Sequence, residues 1–269
     1  DFRRSRGLGD VYKRQILVIY VARMLVHKKE VIKDFKLGIV PILWPIVIIC
    51  GLILPADFST AAMLFIVCFI MLFVGGAKLK HLSAMIGVSI AGFAILILLN
   101  LAFPGLLPRV DTWQKRITSF ESGSQKENYQ AEMAKRAVAN GFLFGKGPGK
   151  GHVKNDLYSA QSDFIYASSI EEFGSIFGGL GLVIMYTILF FRSIRIMNKT
   201  ESLFGAYVVF GLSFLLVFQS LINMGVGVNL FPVTGQPLPL ISMGGTSIIF
   251  SCVALGIIIN VSRTVYKDA

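Results

Sequence analysis

Charge is scarce in this chain, and acid is the scarcest part of it. Of 269 residues 15% are charged, with 15 Asp and Glu set against 26 Lys and Arg. A soluble domain carries about a quarter charged residues, so that class is excluded. Cysteine is also rare. Cys50, Cys68 and Cys252 each sit inside an apolar run, without metal-ligand spacing or a partner in a polar loop. That excludes a disulfide framework and a thiolate metal site, and leaves three small buried hydrophobes. The net charge of +11 comes without a basic helix or an aromatic-basic module, which excludes a nucleic-acid partner. No internal repeat points to an inverted-repeat transporter. An initiator methionine and a signal-peptide pattern are both missing from the first residues.

What the chain has in abundance is apolar runs. It is 54% hydrophobic with a mean hydropathy of +0.69. Several stretches reach the roughly 18 apolar residues that suggest a spanning helix. The expected runs are 16–26 (the end of a span), 37–54, 60–77, 82–103, 163–191, 203–224 and 240–261. The fold class is therefore an all-α polytopic membrane protein, a helical bundle with about seven transmembrane helices in view. Basic residues occupy 27–36, 78–81, 192–199 and 263–267, in alternate connections. Alternation of this kind places all four on the cytoplasmic side. The turn at Asp57, the long polar region 104–162 and the connection 225–239 then lie outside.

Residues 1–15 are polar, basic and joined abruptly to the run at 16. The string from Gly7 to Gln15 resembles a translated sequencing-adapter scar, so this segment is set aside as non-native. The functional domain is taken as 16–269, with earlier helices expected upstream.

Charged side chains inside bilayers are rare and by default suggest function. Asp163 stands where the long polar region runs into an apolar helix, in Ser162-Asp163-Phe164-Ile165-Tyr166-Ala167. Glu171 and Glu172 follow about 12 Å further along a helix. At that depth they need a partner or a polar cavity, and are best read as a structural polar pair. Asp163 and Ser162 both suit a helix N-cap, a role compatible with general-base chemistry at Asp163.

Three further segments stand out. The run 141–151 is glycine-rich, with Gly145, Lys146 and Gly147 at its centre. It is not a Walker A loop: the spacing is one residue short, and Gly147 stands where a Ser or Thr would coordinate magnesium. Such a run can hold a phosphate on its amides or be a surface turn, and spacing leaves both open. Arg116, interleaved with Trp113, Ile117 and Phe120, fits an interfacial helix that binds either lipid headgroups or an anionic substrate. The segment 232–247, with Thr234, Gly235, Pro237 and Ser242, combines helix breakers with small residues. Non-helical backbone at membrane depth survives where it is buried in protein or lines a cavity, so a shaped re-entrant element is expected.

Taken together, Pro55-Ala56-Asp57-Phe58-Ser59-Thr60, the Gly145–Gly149 run, the Asp163 string with Glu171-Glu172-Phe173-Gly174, and 232–247 resemble the SEDS family. This is the shape, elongation, division and sporulation group that includes FtsW and RodA. The wording of 241–247 resembles FtsW more than RodA. The resemblance covers nearly all of 16–263. Two departures are visible: the usual Gln-Pro-Asp reads Pro55-Ala56-Asp57, and the usual Pro-Glu-Ala-His-Thr before the aspartate reads Tyr158-Ser159-Ala160-Gln161-Ser162.

The resemblance implies a ten-helix bundle in the bacterial inner membrane that polymerises lipid II into peptidoglycan glycan strands. Asp163 falls on the catalytic carboxylate of the external loop. Arg116, Lys146, Gly145 and Gly147 fall on substrate-binding positions, and Asp57, Glu171, Glu172, Thr234, Gly235, Pro237 and Ser242 on supporting ones. The implied partners are lipid II, a class B penicillin-binding transpeptidase and divisome proteins. No protein metal site is expected, and a divalent cation (Mg2+ or Mn2+) is the one cofactor candidate. Two rival readings use the same residues: a lipid II flippase without chemistry, and a non-catalytic divisome scaffold.

Overall fold

A computed structural model of the chain describes residues 2–54, 57–102, 129–151 and 162–267. Among the described residues every regular element is helical. In chain order these are α1 (Phe2–His27), a short π-helix (Phe35–Ile39) running into α2 (Val40–Ile53), α3 (Phe58–Val74), α4 (Leu79–Ala102) and α5 (Tyr129–Gly141). Then follow α6 (Ile165–Gly174), a second π-helical turn (Ser175–Leu180), α7 (Gly181–Lys199), α8 (Leu203–Gly227) and α9 (Gly245–Lys267).

Four helices are long and apolar enough to cross a membrane: Phe35–Ile53, Ile165–Lys199, Leu203–Gly227 and Gly245–Val265. Phe58–Val74 and Leu79–Ile95 are shorter apolar helices. The protein is a multi-pass, all-α membrane protein, as its apolar runs imply.

Helix α8 is the axis of the bundle. It packs on α1, α3, α7 and α9, and buries small and branched residues such as Gly211, Leu212, Leu215 and Leu216. Gly211 is needed for a close approach, because an added Cβ would press on Val18 and Met71. The main core joins Leu17, Val21, Ile42, Ile46, Leu64, Met71 and Leu212 from α1, α2, α3 and α8. Helix α4 leans chiefly on α3.

Three expectations are revised. The run 163–191 is not one straight span: it breaks at Gly174, whose φ is +80°, and restarts through a π-helical turn. Neither Ser162 nor Asp163 holds the N-cap position of the helix after the polar region. It starts at Ile165, and Phe164 holds the cap position without a side-chain cap bond. The last helix begins at Gly245 rather than near 240. The segment 228–244 is non-helical, with Gln236, Leu238 and Ser242 buried, which matches the expected shaped element. Helix α1 runs through residue 15 without interruption, and Arg14 and Gln15 are buried.

Contacts sort the connections into two faces. On one face Phe35 meets His81 with ring centroids 5.2 Å apart, and the start of α8 at Gly205 meets Val261 of α9. Basic segments 27–36 and 78–81 supply the first contact, and 192–199 and 263–267 flank the second. On the other face stand Asp57, Asp163 and the 228–244 segment.

Candidate active site

Site residues come from the heads of α3 and α6, the end of α8 and the 228–244 segment. Asp57 caps α3: its carboxylate accepts from the Thr60 amide at 3.2 Å and from the Thr60 hydroxyl. Gln236 reaches across from the non-helical segment. Its Nε2 donates to Thr60 Oγ1 at 2.7 Å and to Asp57 Oδ2 at 3.2 Å. Arg14 donates to Gln236 Oε1 and to Thr60 Oγ1, both at 2.7 Å. Asn223, near the end of α8, donates through Nδ2 to the main-chain oxygens of Asp163 (3.1 Å) and Gln236 (2.7 Å). Ser242 Oγ donates to the Ser162 oxygen at 2.8 Å and accepts from the Leu238 amide at 2.7 Å. Gln219 Nε2 donates to the Pro237 oxygen at 2.9 Å, and the Tyr186 hydroxyl donates to the Pro239 oxygen. In a low-dielectric interior an unmade hydrogen bond is costly, and this network meets that demand for a stretch of backbone that has no helix of its own.

The residues picked out in sequence divide as follows. Asp57, Asp163, Pro237 and Ser242 belong to this one network. Asp163 is half-buried and is flanked by Phe164, whose ring is 0% exposed among Ala134, Ala137, Ala167 and Val226. Thr234 lines an apolar groove next to the network, and Gly235 supplies a turn at φ +71°. Arg116 lies outside the described residues. Sequence reasoning passed over Arg14, Thr60, Gln219, Asn223 and Gln236. The signal for Gln219 and Asn223 is an amide inside an apolar run, while Thr60 and Gln236 lie in the motif segments 55–60 and 232–247.

Gly145, Lys146, Glu171 and Glu172 form a second unit. The Gly145 amide donates to the Gly141 oxygen at 2.8 Å, and the Lys146 and Gly147 amides donate to the Glu171 and Glu172 oxygens, both at 2.9 Å. These three amides are engaged within the protein, so they are not the phosphate cradle that the glycine spacing also allowed. Lys146 Nζ lies 3.4 Å from Glu171 Oε1, a carboxylate whose side chain is 0% exposed against 34% for the lysine. Lys146→Met removes that cation from a buried acid. The expected destabilisation is about 1–3 kcal/mol, below the buried-pair value because the lysine is partly solvated. Denaturant unfolding in detergent measures it, and adding Glu171→Gln should recover most of the loss. A Lys146→Met protein as stable as the parent would remove the pair from the account.

The groove beside the network has a volume of about 550 Å3 and is lined by Phe58, Met63, Ile66, Phe218, Ile222 and Phe231, among others. Among the described residues no three His, Cys, Asp or Glu side chains cluster as a metal site would require.

The fold and site define a helical membrane bundle with an acidic, amide-rich cluster at one face and an apolar groove beside it. The chain belongs to the FtsW/RodA/SpoVE family of cell cycle proteins, whose sequence profile matches residues 12–267. It is 33% identical over 258 residues to stage V sporulation protein E of Bacillus subtilis, covering 94% of this chain and 67% of that protein. It is 32% identical over 256 residues to a probable peptidoglycan glycosyltransferase FtsW of Aliivibrio salmonicida, covering 92% and 61%. The chain thus spans about two thirds of the length of these relatives.

Solved structures agree on the fold. A chain of a peptidoglycan synthase complex that coordinates polymerization and crosslinking superposes with a TM-score of 0.66 at 24% identity, over 93% of this chain and 68% of that one. The rod shape determining protein RodA of Thermus thermophilus superposes with a TM-score of 0.55 at 24% identity, over 93% and 66%.

Proposed function

We propose that this chain carries the glycosyl-transfer site of a peptidoglycan polymerase that acts on lipid II, in the manner of the relatives named FtsW. The observation that supports it best is the position of Asp163. It is the acid at the head of α6, its main chain is tied by Asn223 to α8 and the 228–244 segment, and family membership extends over that whole region. By the positive-inside rule its face of the bundle is the outer one. The protein then lies in the bacterial cytoplasmic membrane with the site on the periplasmic side, out of reach of nucleotides and within reach of lipid-linked sugar.

In this reading Asp163 accepts the proton of the C4 hydroxyl of the acceptor GlcNAc. That oxygen forms a bond to C1 of the donor MurNAc, the C1–O bond to undecaprenyl pyrophosphate breaks, and the proton passes to water. Departing pyrophosphate carries charge that fixed cations stabilise. Arg116 and Lys146 are assigned to it, with Gly145 and Gly147 holding Lys146 in place. Asp57, Thr234, Gly235, Pro237 and Ser242 keep the site in shape, and Glu171 and Glu172 anchor the glycine loop. The apolar groove suits part of a prenyl tail. A divalent cation (Mg2+ or Mn2+) is the cofactor that fits a pyrophosphate leaving group. A class B penicillin-binding transpeptidase and other divisome proteins are the partners that fit this role.

The test uses protein expressed from the complete gene and reconstituted in liposomes with labelled lipid II. Glycan polymer should form in detergent and in vesicles alike. Movement of lipid II between leaflets with no polymer in either setting would replace the enzyme reading with a flippase. Wild-type protein inert in both assays would leave a scaffold.

A further inference from the structure

We propose that Asn223 is a positioning residue for Asp163. Its side-chain amide ties the Asp163 carbonyl to the Gln236 carbonyl and so fixes where the Asp163 carboxylate stands against α8 and the 228–244 segment. The proposal rests on Asp163 being the reacting carboxylate.

Asn223 is 1% exposed, inside the most deeply buried helix of the bundle. Two main-chain oxygens that are 73 residues apart in sequence, those of Asp163 and Gln236, converge on its one nitrogen at 3.1 and 2.7 Å. A primary amide offers two N–H donors from a single atom. Serine or threonine offers one, and aspartate would set a carboxylate against two carbonyl oxygens. The orientation of the amide follows from these partners, since the flipped form would oppose oxygen to oxygen.

The other end of the side chain sharpens the point. Asn223 Oδ1 is buried and accepts no hydrogen bond. Such an acceptor is costly, and in a native fold it calls for an explanation. A position selected for packing alone would be better served by an apolar residue. The two N–H bonds explain why an amide stands there.

What those bonds hold is the chain on both sides of the Asp163 side chain. Ser242 fixes the carbonyl of residue 162, Asn223 that of residue 163, and the buried Phe164 ring seats residue 164. These tertiary ties flank the start of α6 at Ile165. Gln236 extends the link to Thr60 and Asp57, so one amide couples three segments. A displacement of about 1 Å at a reacting group can lower a rate roughly 100-fold.

The experiment compares wild type, N223A, N223S, D163N and the D163N/N223A double variant of the complete protein in liposomes with labelled lipid II. N223A should lower kcat roughly 10- to 100-fold with KM within about two-fold. N223S, keeping one donor, should fall between, and it carries the test if N223A does not survive purification. The double variant should be no slower than D163N. Hydrogen exchange should quicken in the peptide covering 162–170 and stay unchanged in α8 around Gly211. Wild-type kcat in N223A and N223S with D163N inactive overturns the proposal. So does a loss of exchange protection spread evenly over all helices, which would make Asn223 an ordinary core residue. Failure of the underlying reading shows separately, as a D163N protein that polymerises at the wild-type rate.

Discussion

Asp163→Asn is expected to abolish glycan synthesis while leaving the bundle folded. The amide has nearly the shape of the carboxylate but cannot take a proton from a sugar hydroxyl. A positioned general base contributes roughly 10^2- to 10^4-fold to a rate, so residual polymer should fall by at least the lower figure. The main-chain ties around residue 163 do not involve the carboxylate. The Asp163 carbonyl still receives Asn223 and the Ser162 carbonyl still receives Ser242, and Phe164 stays in its pocket. Gel analysis of labelled lipid II products measures the activity, and thermal unfolding in detergent checks that the variant is folded. Asp163→Glu should keep a trace of activity, because the proton acceptor is present but displaced by one methylene. Polymer formed by Asp163→Asn at the wild-type rate would remove the carboxylate from the mechanism. A folded, inactive variant that still supports growth would shift the family role toward the scaffold.

The outline of this protein is written in its apolar runs. A helix at membrane depth must satisfy its own backbone, so runs such as 37–54 and 203–224 leave the chain little choice, and both are helices. The two faces were also readable, because Lys and Arg cluster in alternate connections. Asp163 stood out as a carboxylate where apolar sequence begins.

What the sequence hid were the tertiary ties. Asn223 and Gln219 are single amides in an apolar run, and no spacing announces a partner far away in the chain. Capping propensity is local, so Ser162 and Asp163 looked like caps. In the fold their carbonyls are drawn to Ser242 and Asn223, and the helix starts one residue past Phe164. The break at Gly174 was masked by the apolar residues around it, although glycines at 174, 178 and 179 marked the place. Arg14 falls within the string that resembles an adapter scar, and its guanidinium bonds Gln236 and Thr60 within the network.

The glycine loop gives the second large effect, because it docks on that break by backbone against backbone. Gly145 has φ +76° and Gly174 φ +80°, a region that costs a non-glycine residue about 1–2 kcal/mol. The two also interlock. A Cβ on Gly174 would overlap the Leu143 carbonyl, and one on Gly145 would overlap the Glu172 carbonyl. Backbone atoms cannot swing aside as a flexible side chain does, and overpacking of this kind costs about 1–3 kcal/mol. Gly145→Ala and Gly174→Ala should therefore each lose about 2–5 kcal/mol, enough to compete with the whole stability of many domains. Gly149 is the internal control. Its φ is +78° but nothing lies within 4 Å of an added Cβ, so Gly149→Ala should lose only the dihedral part. Gly92, helical and with open space around it, should gain slightly on changing to Ala. Denaturant unfolding in detergent ranks the four variants, and protease cutting within 142–151 should quicken for the first two alone. Equal stability of Gly149→Ala and Gly174→Ala would mean that the dihedral sets the loss and that the loop is not locked to the helix break. The expected ordering says instead that steric locking dominates, and that the glycines serve to bring Lys146 down onto the buried Glu171, about two turns from the start of the helix that Asp163 precedes.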